Sequence, residues 1–153
     1  MVQRVIGVDY DSHAVHLAIL TGGGPHMFRV PVGDNLVETL GQLRKLLKNF
    51  RGAFVVIEAP IYIQNPRTSF KLARVQTLAC LACERVGLEY KVLESTRWKK
   101  LALGRARMKK QEILEAMQKR FGDIISDSHF ADATGLALAG KKLLEEKERE
   151  SAV

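Results

Sequence analysis

With 153 residues, 46% of them hydrophobic and 27% charged, the chain is long enough to bury one core and is composed like a globular domain, not a disordered one. No apolar run approaches the roughly 18 residues that span a bilayer, and the first ten residues carry Arg4 and Asp9 where a secretion signal is apolar, so the expectation is a soluble, cytoplasmic protein without a membrane partner. The net charge of +7 is unevenly spread: residues 65–120 hold 14 basic and 5 acidic side chains, against 6 and 5 in residues 1–64 and 4 and 7 in residues 121–153. An excess gathered in one stretch favours a polyanionic partner over a lysine-rich face kept for solubility, because each phosphate contact releases condensed counterions.

In chain order, residues 2–9 (VQRVIGVD) form an apolar run rich in β-branched side chains and predict a central strand. Residues 14–20 (AVHLAIL) predict a second strand, and residues 26–32 a third, joined through the turn TGGGP at 21–25. The three glycines lack the Lys-Ser/Thr that follows in a phosphate loop and lie between strands, which makes them a hairpin turn. Asp34 or Asn35 caps a helix to about residue 49, with Leu36, Leu40, Leu43 and Leu47 at helical spacing. Residues 53–59 (AFVVIEA) give a buried strand stopped by Pro60. A long helix over 68–85 ends at Gly87, and its apolar surface is wider than one sheet face needs, which suggests a partner subunit. Residues 88–93 (LEYKVL) add a fifth strand, followed by the basic segment 97–110, a helix to about residue 121, and a last helix over 129–144. The charged residues 145–153 read as a frayed tail beyond a single domain of residues 1–144. A three-stranded meander followed by alternating β and α units implies an α/β fold with a mixed sheet flanked by helices.

Cys80 and Cys83 are spaced C-x-x-C, but no second pair completes a zinc site and no helix start opens beside them to activate a thiol. Inside an apolar helical stretch they read as core packing.

The chemistry lies in where the acids fall. Asp9 ends the first strand after VIGV, and Glu58 ends the fourth after FVVI. Functional groups of an open sheet gather outside the carboxyl ends of its strands, so the two converge if those strands are neighbours. His129 and Asp132, three apart at the start of the last helix, share one helical face. Clustered carboxylates raise one another's pKa or demand a cation, and oxygen ligands suit Mg²⁺ or Mn²⁺. Two such ions about 4 Å apart activate water and stabilise the leaving oxygen of a phosphodiester. Asp127 is a rival ligand, with Ser126 or Ser128 as the helix cap, and Asp11 lies nearby but points off its strand.

This layout resembles the ribonuclease H and retroviral integrase superfamily, and most closely the RuvC-type Holliday junction resolvases. The resemblance rests on IGVD at 6–9 with its meander, VVIEAP at 55–60, the basic segment ending in Lys109 and Lys110, and HFADATGLALA at 129–139. It runs in order along almost the whole chain, and the last motif is the most specific. It implies a ribonuclease H-like fold with Asp9 and Glu58 as the first two metal ligands, His129 as the third (Asp in many members, His in others) and Asp132 as the fourth. It also implies that Lys110, or its neighbour Lys109, stands close to the scissile phosphate, stabilising charge on the phosphoryl oxygens. Tyr62 falls near the place where such proteins present an aromatic residue to unpaired bases.

The run 97–110 holds Arg97, Lys99, Lys100, Arg105, Arg107, Lys109 and Lys110 with no acid among them. They are candidates for straddling phosphates, and Trp98 either stacks on a base or, the favoured reading, packs on the sheet. Arg67, Lys71 and Arg74, at three- to four-residue spacing on the long helix, are either a solvated face or phosphate contacts along a DNA arm. The leading expectation is a homodimer that nicks a four-way DNA junction by metal-dependent hydrolysis with two Mg²⁺ (or Mn²⁺) ions per site and no small-molecule cofactor. The nicks leave a 5′-phosphate and a 3′-hydroxyl by family analogy, and the wide helix face supplies the two-fold interface. The alternatives are another ribonuclease H-fold nuclease, such as the YqgF type linked to RNA processing, and a non-catalytic junction-binding module.

Overall fold

A computed structural model describes residues 3–60 and 65–152. The opening meander forms β1 (Val5–Tyr10), β2 (Ala14–Thr21) and β3 (Gly24–Pro31). Asp11 makes the first turn: its Oδ1 accepts the backbone N–H groups of His13 (2.7 Å) and Ala14 (2.8 Å), as a short acidic side chain does when it replaces a carbonyl in a turn. The second turn is the expected glycine hairpin, with Gly24 at φ +107°, a conformation side chains rarely adopt. Helix α1 (Leu36–Leu47) is capped by Asn35, and β4 (Phe54–Glu58) follows. Next come α2 (Pro66–Val86), β5 (Glu89–Leu93), α3 (Ser95–Leu103), α4 (Lys110–Phe121) and α5 (Ser128–Ser151).

The sheet order is β3-β2-β1-β4-β5. Strands β1 and β4 pair in parallel, as do β4 and β5, while β1–β2 and β2–β3 are antiparallel. Side chains alternate between faces, which divides the core in two. Ile6, Val8, Val15, Leu17, Ile19, Val55 and Ile57 pack with Leu43 and Leu47 of α1 and Val75, Leu78 and Ala82 of α2. Val5, Leu20, Phe54 and Val56 pack with Trp98, Ile113, Met117 and the small-residue stretch of α5 on the other face. Asp9 continues the parity of Val5, and Glu58 that of Val56. Both acids therefore emerge on the α5 face.

Helix α5 lies unusually close to the sheet. A Cβ on Gly7 would stand 2.5 Å from the Ala137 nitrogen, and one on Gly140 would stand 2.7 Å from both Val5 and Val56. These glycines let the helix backbone approach the strands, and Gly135 likewise leaves room for the Trp98 ring.

Several expectations are corrected. The long helix begins at Pro66, two residues before the expected Thr68, because Asn65 accepts the Arg67 N–H as a cap and proline suits the first helical position. The basic segment is broken at Gly104, whose left-handed φ of +80° ends α3 before α4 starts at Lys110. Residues 145–151 are not frayed but continue α5, in keeping with the Glu, Lys and Arg, all good helix formers, that fill positions 145–150. The cap of that helix is Asp127, whose Oδ1 accepts the Phe130 N–H at 3.0 Å, rather than Ser126 or Ser128. Part of the width of the apolar face of α2 is taken up by α1 within the same chain. Trp98 is buried, and Cys83 packs in the core with Cys80 at its margin. Among the described residues, no helix is long and apolar enough to cross a membrane.

Candidate active site

The parallel ladder pairs Val8 with Ile57, so the next residues, Asp9 and Glu58, stand side by side where the two strands part, each still paired on its other side, with His16 and Leu93. The Tyr10 hydroxyl donates to the Glu58 carbonyl at 2.9 Å and ties the two strand ends together. The first turns of α5 bring in Asp132. One carboxylate oxygen from each of Asp9, Glu58 and Asp132 lies within 4.8 Å of the other two.

Asp9 and Glu58 are buried and Asp132 is half-buried. Burial, reinforced by the charges of Asp9 and Asp132, pushes the Glu58 carboxyl up to about 8. Burial and the Asp9 charge push Asp132 up to about 7, against the pull of Lys110 and Lys99. Asp132 Oδ1 is buried without a hydrogen-bond partner. Buried polar atoms are nearly always satisfied, so an orphan marks a place where something binds. An oxygen-rich set carrying excess negative charge fits a hard divalent cation.

His129 is not a member of that triplet. It stands beside it, with Nδ1 3.1 Å from Asp9 Oδ2 and Nε2 3.5 Å from Asp11 Oδ2. Its ring stacks on His16, with centroids 4.3 Å apart and planes within 4°. The hydrogen bond to Asp9 raises the His129 pKa, helped by the Asp9, Asp11 and Asp127 charges, although partial burial opposes it. Burial, and then the neighbouring His129, lower that of His16. Burial tends to raise Asp11, but the N–H groups of His13 and Ala14 and the two histidines leave it lowered overall. Asp127, the rival ligand, belongs to neither group; its carboxylate serves as the helix cap.

No protein-family model and no curated protein sequence matches the chain. Solved structures do match. A Thermus thermophilus RuvC structure aligns over 95% of this chain and 97% of its own, with a TM-score of 0.74 at 18% identity. T. thermophilus RuvC in complex with a Holliday junction substrate aligns over the same shares with a TM-score of 0.80 at 18% identity. The fold is that of RuvC. The yeast mitochondrial Holliday junction resolvase Ydc2 aligns more loosely, over 92% of this chain and 78% of its own, with a TM-score of 0.54 at 11% identity.

On this RuvC fold the expected basic residues fall into separate groups. Lys99 and Lys110 line the cleft that holds Asp9, Glu58, His129 and Asp132. Lys99, Arg105, Arg107 and Lys109 line an adjoining open groove, where Arg105 is paired with Glu112 at 3.3 Å. Lys71 and Arg74 of α2 line another depression with Ser12, His13 and Asp34, while Arg67 and Lys100 are exposed. Arg97 is set apart from the cleft, among Glu89, Glu146 and Glu150. Tyr62 lies outside the described residues. Sequence reasoning missed His16 altogether, although the register that pairs it with Asp9 follows from the short turn after Tyr10.

Proposed function

We propose that this chain is a metal-dependent endonuclease that resolves four-way DNA junctions by cutting phosphodiester bonds. The observation that carries the reading is the meeting of Asp9, Glu58 and Asp132 in one cleft, with Lys99 and Lys110 on its wall. Likeness in fold to a RuvC solved with a Holliday junction substrate supports the choice of DNA.

Asp9, Glu58 and Asp132, joined by His129 through its Asp9-facing nitrogen, would hold two Mg²⁺ or Mn²⁺ ions. Bound there, such ions supply a water of lowered pKa and neutralise charge on the phosphoryl oxygens. The chain's own part is to bind and aim. Lys110 and Lys99 offset the charge that builds on the phosphate. Arg105, Arg107 and Lys109 on one side, with Lys100, and Arg67, Lys71 and Arg74 on the other, hold the DNA arms through their phosphates. In-line attack by water forms a new P–O bond as the P–O3′ bond breaks, leaving a 5′-phosphate and a 3′-hydroxyl.

Paired nicks need paired sites, so we read the functional unit as a homodimer. Phe70, 72% exposed near the start of α2, and the half-buried Leu81 are apolar groups of that face left for a second copy. The test is incubation of the chain with a synthetic four-way junction, a linear duplex and an RNA duplex, with and without Mg²⁺ or Mn²⁺. Symmetric metal-dependent nicks in the junction alone support the reading, as does an Asp9→Asn variant that binds the junction without cutting it. Unimpaired cutting by Asp9→Asn removes the metal-site assignment, and preference for RNA replaces the substrate.

A further inference from the structure

A neutral imidazole ligates an ion through one nitrogen only, and the hydrogen bond made by the other nitrogen decides which one. His129 has a carboxylate at each nitrogen, within hydrogen-bond reach at Nδ1 (3.1 Å) and in charge contact at Nε2 (3.5 Å). Its Nδ1 faces Asp9, a member of the carboxylate triplet, while its Nε2 faces Asp11, which lies outside it. Asp11 is itself held in place: Oδ1 is committed to the His13 and Ala14 N–H groups, leaving Oδ2 toward His129. The third constraint is His16, the cross-strand partner of Asp9. Only 4% exposed, it lies parallel to the His129 ring and meets Phe130 edge-on at 5.3 Å.

We propose that Asp11 and His16 are positioning residues for His129: once an ion takes the place of the Nδ1 proton that Asp9 accepts in the metal-free site, Asp11 accepts Nε2–H and keeps the Nδ1 lone pair on that ion, while His16 fixes the plane of the ring. The inference rests on the reading of His129 as a metal ligand. Asp11, His16 and His129 also bring three donor atoms within 4.8 Å of one another, which invites the reading of a separate cation site. The stacking argues against it. An imidazole lone pair lies in the ring plane, so two rings parallel to within 4° direct their lone pairs along separate planes instead of at one ion.

The test is Mn²⁺ binding to the full chain without DNA, measured by calorimetry, together with ¹⁵N NMR of His129 in the Mg²⁺-loaded protein. Thermal melts establish which variants are folded. Asp11→Ala is expected to weaken Mn²⁺ binding about 10- to 100-fold, the usual effect of losing a ligand's supporting partner. Asp11→Asn keeps the turn, because its one amide oxygen still accepts the His13 and Ala14 N–H groups, but it turns an NH2 donor toward Nε2 and is expected to lose binding as Asp11→Ala does. His16→Phe, which keeps a ring to stack but has no nitrogen, stays close to wild type, whereas His16→Ala does not. The wild-type spectrum shows the Nε2–H tautomer, and Asp11→Ala loses that signature. If wild type binds Mn²⁺ and Asp11→Ala binds it equally well, the positioning role falls and the ligand reading stands. A His16→Phe loss as large as that of His129→Ala makes His16 a ligand and overturns the proposal. Failure of the wild type to bind Mn²⁺ overturns the ligand reading and this inference with it.

Discussion

Replacing Gly7 by alanine tests whether the close seating of α5 sets the site. The added Cβ would overlap the Ala133 carbonyl oxygen and stand 2.5 Å from the Ala137 nitrogen, where ordinary contact begins at 3.4 Å. Both are backbone atoms of α5, so no rotamer change relieves the clash, and the helix must lift from β1 by about 0.9 Å or more. Overpacking of a tight core costs about 1–3 kcal/mol, and the rigid obstacle points to the upper end. For a chain of this size that corresponds to a drop of roughly 6–12 °C in melting temperature. Asp132 adjoins Ala133, so the lift also carries a carboxylate away from Asp9 and Glu58. A misplacement of about 1 Å at a reacting centre costs on the order of a hundredfold in rate. Melting in EDTA, Mn²⁺ calorimetry and junction cleavage read the three effects. Gly41→Ala on α1, where nothing lies within 4 Å of the added atom, is the control and gains up to about 1 kcal/mol. A Gly7→Ala protein that melts and cuts like wild type refutes the argument.

The raised carboxyls predict how metal-free stability varies with pH. Glu58 lies at about 8 and Asp132 at about 7 in the fold, from ordinary values of 4.5 and 3.8. Their contribution is fully present below about pH 4 and is lost as pH rises through 7–8, because the folded state then binds more protons than the unfolded one. Urea melts in EDTA from pH 4 to 9 should show this decline. Glu58→Gln flattens it, and an unchanged slope in that variant means that the decline does not come from the buried Glu58 carboxyl. Asp127→Ala removes the α5 cap and should cost about 1 kcal/mol in urea unfolding; no loss would mean that its bond to Phe130 is immaterial. Lys110→Gln is expected to slow junction cleavage about a hundredfold while binding is largely kept, as measured by single-turnover kinetics beside gel shifts. A loss confined to binding moves Lys110 from the chemistry to the DNA grip.

Asp9 and Glu58 were legible because an apolar run fixes a buried strand, and an acid at its carboxyl end emerges where the central strands finish. Asp132 followed from helical spacing before a run of small residues, which the structure explains by the close approach to Gly7. Two acids were harder to assign. Asp127 and its neighbouring serines are all good caps, and only the backbone at residue 127 selects one. Asp11 follows the end of its strand, yet the turn it makes aims its second oxygen back at His129. His16 was hidden for another reason: its role depends on a cross-strand register that the short turn after Tyr10 sets but that no hydrophobic periodicity displays. The helical course of residues 145–151 was misread because charge was weighed above helix propensity, although the same side chains serve both.

The three carboxylates are not held alike. The spacing of Asp9 and Glu58 is set by a backbone ladder between two central strands and by the Tyr10 bond across their ends. Asp132 sits on a helix resting on glycine contacts. One wall of the site is therefore stiff and the other adjustable. Oxygen ligands stand about 2.0–2.1 Å from Mg²⁺ and about 2.3–2.6 Å from Ca²⁺, so the difference in ionic size has to be absorbed on the α5 side. In the proposed metal site, discrimination between the two ions would depend on how firmly one helix is seated, and loop changes around the strand ends would leave it untouched.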